Sequence, residues 1–305
     1  MRQLLAVLAA FSLFAFAPAA GAVPADPGRA AIVDPPRDAA HPARNRQLLI
    51  DSHGSKMNAL FFLAAGAGPH PTMLLLHGLP GNERNLDLAQ AVRRAGWNVL
   101  TFTYRGAWGS EGDFSIAHSL EDTAAAMAFL RSTEAMRDYG VDPARLVIAG
   151  HSMGGYMAAH EAAAESAARQ PLAGLILLDA WNIAGDAVQV RAAGAAGRAG
   201  LIASLDDFGR ALHGATPESV ADEIIAQGPG WNLPALAPRL ARTSVLTIYA
   251  THGGAADNRV TAEALRRAGV RVTAREIDSD HAFADHRIAL EVEAVRWLRV
   301  RAGRR

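Results

Sequence analysis

From Pro71 onward, short apolar runs alternate with stretches of helical periodicity. Met73-Leu74-Leu75-Leu76 is continuously apolar, the pattern of a strand buried on both faces of a parallel sheet. Runs of the same kind recur at Val99–Phe102, Leu146–Ala149, Leu175–Leu178 and Val245–Ile248, and a last strand is predicted over Val270–Ile277. Between them the pattern predicts a helix over Glu83–Arg94, stopped by Gly96. A second helix is predicted with Ser119 as its N-cap, Asp122 at its third helical position, and Met127 and Leu130 on its buried side. A third begins at Met153. The final helix carries Ile288, Val292, Val295 and Leu298 at spacings of three and four, which makes one apolar face. Gln47–Leu63 alternates less regularly and suits an antiparallel hairpin at a sheet edge.

Strand and helix repeated in this way predict an α/β fold: a mostly parallel sheet with helices on both faces. Residues 181–242 break the alternation. They contain Thr216-Pro217-Glu218, a helix start with proline at the first position, and Gly/Pro turns near Gly228–Gly230. This stretch is read as a small helical cap inserted over the C-terminal edge of the sheet. Its apolar residues Ile183, Val188, Leu201, Ile202, Phe208 and Trp231 suit either the lining of an apolar pocket or an anchor to the body, the second being the commoner use.

The chain has 305 residues, 50% of them apolar, enough for one large domain with a full core. Its 30 basic residues equal its 30 acidic ones. That balance disfavours nucleic acid as the ligand, which takes a basic patch. At the N-terminus, Arg2 precedes the apolar run Leu4–Phe16, and Ala20-Gly21-Ala22 follows. These are the parts of a secretory signal, and the run falls short of the roughly 20 residues that a membrane span needs. The expectation is a signal peptide over residues 1–22, a flexible leader over 23–45, and one domain over 46–305. The mature protein would then be periplasmic or secreted, with no membrane span. There are no cysteines, which excludes a thiol nucleophile and thiolate metal sites.

The chemistry concentrates at Gly150-His151-Ser152-Met153-Gly154-Gly155, between a predicted strand and a predicted helix. That context makes Ser152 a candidate nucleophile in a sharp, strained turn, with glycines where side chains would collide. The helix after it directs its positive end at the reacting centre. A serine needs a base, and the base an orienting acid. Of the histidines, His281 follows the last strand in the expected order; His286 is the alternative, at the start of the final helix. For the acid, Asp257 is preferred, in the loop Thr251–Asp257 after a strand. Asp179, at the end of the preceding strand, is the rival. Met153 N–H is one expected oxyanion donor. Leu79 N–H, in His77-Gly78-Leu79-Pro80-Gly81, is the other. His77 fits a residue that fixes this loop better than it fits a base.

Taken together, these residues resemble the α/β-hydrolase superfamily from about Gln47 to the C-terminus. The segment Tyr104-Arg105-Gly106-Ala107-Trp108-Gly109-Ser110-Glu111-Gly112 also looks like the loop after the second parallel strand in many bacterial members. Gly150–Tyr156 is similar to the elbow of prolyl-oligopeptidase-type peptidases, but the propeller domain of those enzymes has no counterpart here. The resemblance implies the α/β-hydrolase fold and acyl transfer through a Ser152–Asp257–His281 triad. It implies no cofactor and no metal, and a small ester or a short peptide as substrate. Carboxylic ester hydrolysis is the favoured activity; peptide hydrolysis and non-catalytic binding on this fold are the alternatives.

Overall fold

The computed structural model describes residues 26–206 and 211–302. The proposed signal peptide and Phe208 lie outside the described residues. After a short helix α1 (Pro27–Ile32), β1 (Arg44–Ser52) and β2 (Ser55–Leu63) form a hairpin. There follow β3 (His70–Leu76), α2 (Leu86–Arg94), β4 (Asn98–Phe102), α3 (Ile116–Leu130), α4 (Thr133–Tyr139), β5 (Val141–His151), α5 (Met153–Ala167) and β6 (Gly174–Leu178). The inserted segment holds α6 (Ile183–Leu205), α7 (Pro217–Gln227) and two 3-10 turns. The chain then closes with β7 (Ser244–His252), α8 (Ala255–Arg267), β8 (Arg271–Asp280) and α9 (Arg287–Ala302).

The eight strands form one sheet in the order β1-β2-β4-β3-β5-β6-β7-β8. The β1–β2 and β2–β4 pairs are antiparallel and all the others parallel, so the hairpin sits at the edge as its sequence suggested. Successive strand residues alternate between two cores. Leu74, Leu76, Ile148, Leu175 and Leu177 pack on one face of the sheet with α3 and α5. Met73, Leu75, Val147, Ile176 and Leu178 pack on the other with α2 and α9. Burial on both faces is why these strands read as unbroken apolar runs.

Several local expectations are corrected. The second predicted helix starts at Ile116, not after Ser119. Its cap is Ser115, whose hydroxyl accepts from His118 N–H at 2.9 Å, and Glu223 of α7 accepts from the Ile116 and Ala117 N–H groups at 2.9 Å each. A carboxylate here suits the positive end of a helix. Ile288 is exposed and Val292 half-buried; α9 buries Val295 and Leu298 as expected, with Leu290, Ala294 and Trp297 beside them. Part of the expected flexible leader is ordered. Asp26 caps α1, Ala30 is buried, and Arg94 donates to the Ala30 and Ala31 carbonyls at 2.5 and 2.8 Å.

The insertion is tied to the C-terminal edge of the sheet. Leu212 bridges to Ala107, Phe114 N–H donates to His213 O, and Trp181 N–H donates to Ser152 O at 2.9 Å. Ile183 and Trp231 are buried in the main core, as anchors, whereas Val188 is open to solvent.

One buried polar cluster joins the edge hairpin to this region. Asp122 of α3 is fully buried and accepts from Ser52 Oγ at 2.7 Å, Arg105 N at 2.8 Å and Arg105 Nε at 2.5 Å. Arg105→Leu strands that carboxylate without its cation. The expected loss is ~3–5 kcal/mol of stability, read by urea denaturation. Glu161 of α5 is also buried, and burial, with the charge of Glu165 behind it, pushes its pKa up to about 7. The folded chain thus keeps a proton that the unfolded chain releases at the ordinary glutamate value. Its contribution is complete in acid and is lost as pH rises through about 7. Glu161→Gln is expected to flatten that decline, seen as a higher Tm than wild type at pH ~8 and little difference at pH ~5.

Candidate active site

Ser152 lies between β5 and α5 at φ 55° and ψ −122°. A non-glycine residue in such a region costs ~1–3 kcal/mol and persists only where its surroundings enforce it. Here the Ser152 N–H donates to Leu178 O at 3.0 Å, and its carbonyl accepts from Gly155 and Trp181 N–H, each at 2.9 Å. A Cβ on Gly154 would lie 2.5 Å from the His77 carbonyl oxygen, so glycine is what lets α5 approach the end of β3. The His77–Gly81 loop backs onto Ser152: a Cβ on Gly78 would lie 2.8 Å from Ser152 Cβ.

His281 immediately follows β8. Its Nδ1 lies 2.5 Å from Asp179 Oδ2. A carboxylate oxygen accepts and a ring N–H donates, so Nδ1 is the donor in this contact and Nε2 is the ring atom left for another partner. His281 also sits beside the elbow. Its ring centroid is 4.6 Å from that of His151, and its carbonyl oxygen is 2.8 Å from His151 Nε2. His286, the alternative base, pairs with its neighbour Asp285 at 3.0 Å.

The acid beside His281 is Asp179, not Asp257. Asp179 is 1% exposed at the end of β6. Its Oδ1 accepts from Ala250 N–H at 3.2 Å and its Oδ2 from Gly254 N–H at 2.8 Å. Asn258 bonds both the N–H and the carbonyl of Ala180, each at 3.1 Å, and so steadies the turn after Asp179. Asp257 fails for a local reason. Helix α8 begins at Ala255, so Asp257 falls in its first turn, exposed. Burial of part of its carboxyl, and then the nearby Asp186 charge, raise its pKa. The loop preferred for the acid does serve the site, through the Gly254 main chain. Sequence reasoning missed Asn258 and His151, which carry no motif of their own.

Met153 is the first residue of α5, and its N–H is one that the helix itself cannot use. Leu79 is partly buried against the core. His77 is buried, and burial lowers its pKa to about 4, so the ring is neutral. Its Nδ1 lies 2.7 Å from the Gly78 carbonyl, and its ring stacks edge-on with Tyr104 at 4.6 Å. It braces the loop.

The Alpha/beta hydrolase family matches this chain over residues 73–294. An uncharacterised protein of Mycobacterium tuberculosis (strain CDC 1551 / Oshkosh) is 30% identical over 115 residues, 37% of this chain and 39% of that protein, so the match spans about two-fifths of the relative's length. Among solved structures, the thermostable carboxylesterase EstE1, cloned from a metagenomic library, superposes with a TM-score of 0.63 at 18% identity, covering 87% of this chain and 91% of that one. The hyperthermophilic esterase of Pyrobaculum calidifontis gives 0.61 at 18% identity, over 90% and 87%. The acylaminoacyl peptidase of Pyrococcus horikoshii gives 0.61 at 14% identity, over 86% of this chain and 42% of that one.

A proton shared between His281 and a buried carboxylate gives a far-downfield proton resonance. That line is expected in the wild type and in Asp257→Asn, and lost in Asp179→Asn. Its survival in Asp179→Asn would separate it from this pair.

Proposed function

We propose that this chain, which belongs to the alpha/beta hydrolase family, is a serine hydrolase that cleaves carboxylic esters. The observation that carries the reading is the 2.5 Å contact of Asp179 with His281 Nδ1, beside a serine held at positive φ. In this reading His281 Nε2 takes the Ser152 hydroxyl proton as Oγ attacks the ester carbonyl. Asp179 takes the role expected of Asp257 and stabilises the imidazolium. Met153 and Leu79 N–H groups donate to the developing oxyanion. The imidazolium returns the proton to the departing alkoxide. Water, deprotonated by the same nitrogen, then splits the acyl-enzyme into acid and free serine.

Leaving-group chemistry supports ester over peptide. An alkoxide departs readily, whereas a peptide needs its nitrogen protonated and an extended chain held in place. The segment 181–242 is placed over the site in this reading, tied by Trp181 to the Ser152 carbonyl. Export of the mature chain to the periplasm or medium is part of the proposal, supported by Arg2, Leu4–Phe16 and Ala20-Gly21-Ala22.

The test is kcat/KM on p-nitrophenyl acetate and butyrate against aminoacyl and dipeptidyl anilides, with Ser152→Ala as the blank. Esters are expected to be the better substrates. Asp179→Asn should lower kcat by ~10⁴-fold, as the wrong tautomer does in other triads, while Asp257→Asn stays near wild type. Anilide turnover equal to or above ester turnover would promote the peptidase reading. For export, N-terminal sequencing from the native host should begin at Val23; an intact Met1 in the soluble cytoplasmic fraction would refute it.

A further inference from the structure

Resting on the serine-hydrolase reading, we propose that His151 is a positioning residue. Its imidazole pins the main chain of His281, and so couples the place of the base to the turn that carries the nucleophile.

His151 is the last residue of β5 and is joined directly to Ser152. It is 4% exposed. Its Nε2 is 2.8 Å from the carbonyl oxygen of His281, 130 positions further along the chain. A carbonyl only accepts, so the proton sits on Nε2 and Nδ1 is a bare acceptor. That Nδ1 is buried and has no hydrogen-bond partner among the described residues. Burial, followed by the charge of His281, depresses the His151 pKa to about 4. The ring is therefore neutral where a triad histidine works, and its contribution is a single N–H.

Packing alone does not account for this ring. An apolar side chain of similar size would fill the space without leaving an acceptor unmet. What the ring adds is attachment. The loop after β8 is otherwise held by Phe283, buried in the core, and by hydrogen bonds to itself and to α9: Phe283 N–H to Asp280 O at 2.9 Å, Ala284 N–H to Asp280 Oδ1 at 2.8 Å, and Arg287 Nη1 to Ala282 O at 2.8 Å. The His281 side chain is about half exposed and is held by Asp179 at Nδ1. Asp179 fixes one ring atom; His151 fixes the backbone from which the ring hangs. Two attachments from two strands orient Nε2, where one would leave the ring free to swing. A neutral donor also suits the place. A lysine or arginine there would set a second cation against the imidazolium that forms during the reaction.

The test compares His151→Leu, which keeps bulk and loses the donor, with His151→Gln, whose amide N–H reaches a similar distance. His151→Asn serves as an amide too short to reach. Readouts are kcat and KM on p-nitrophenyl butyrate, the rate of Ser152 labelling by a fluorophosphonate, and Tm. For Leu and Asn, kcat and the labelling rate are expected to fall ~10–100-fold, the scale of a misplaced catalytic group, with KM within about threefold and Tm not lowered. Gln is expected to restore both rates to within about fivefold of wild type. Wild-type rates in Leu, or equal impairment of Leu, Asn and Gln, would overturn the proposal while leaving the hydrolase reading intact. If Leu does not fold, Gln against Asn decides in the same way. A wild-type protein that is neither labelled nor active, or one labelled equally as Ser152→Ala, would overturn the hydrolase reading and this proposal with it.

Discussion

The backbone turn at Ser152 is the constraint to which the rest of the site is referred. A non-glycine residue at positive φ relaxes unless its neighbours over-determine it. Both main-chain groups of Ser152 are therefore occupied, by Leu178 on β6 and by Gly155 and Trp181 on either side of the site. The same contacts that hold the turn gather the parts. Close approach at Gly154 brings in the end of β3 and the loop after it. The Trp181 bond sets the start of the insertion against the elbow. His151, the residue before the serine, reaches the loop of His281. Enforcing the strain and assembling the site are one structural event.

How much of this was legible in the chain follows from how local each signal is. The elbow shows because its glycines and serine lie within six positions, and because doubly buried strands leave unbroken apolar runs. His281 follows from chain order once Ser152 is placed. The acid does not, since Asp179 and Asp257 both follow strand ends. The choice turns on where α8 begins. It begins at Ala255 with Gly254 as an N-cap that offers no side-chain bond, so nothing in the sequence marks the start. The start of α3 was missed for a related reason. Ser115 and Ser119 are equally good caps by type, and the carboxylate that favours the earlier one is Glu223, over 100 positions away. The α1 start was readable: Asp26-Pro27 is the same kind of signal as Thr216-Pro217, set in a stretch whose Pro- and Ala-rich composition suggested disorder.

The insertion shows the limit of reading apolar residues for function. Ile183 and Trp231 suit pocket lining or, more commonly, anchoring, and they are buried in the main core. A segment between two strands must be tied down before it can shape a pocket, and Ile183 and Trp231 do the tying. Its polar side does structural work as well, since Glu223 caps α3 from α7.

The two candidate acids differ most clearly in the environments that receive them. An orienting acid must stay ionised while the imidazolium forms beside it. Burying a carboxylate is costly unless donors replace its water. Asp179 is buried, and Ala250, Gly254, Asn258 and His281 supply those donors. Two of the four are main-chain N–H groups, aimed by β7 and by the turn into α8. Asp257 meets partial burial and a second carboxylate, both of which oppose its charge. The fold thus surrounds Asp179 with donors and leaves Asp257, exposed in the first turn of α8, near a second carboxylate. The short turn between β7 and α8 does both, giving Gly254 N–H to Asp179 and setting Asp257 in the first turn of the helix, beside α6.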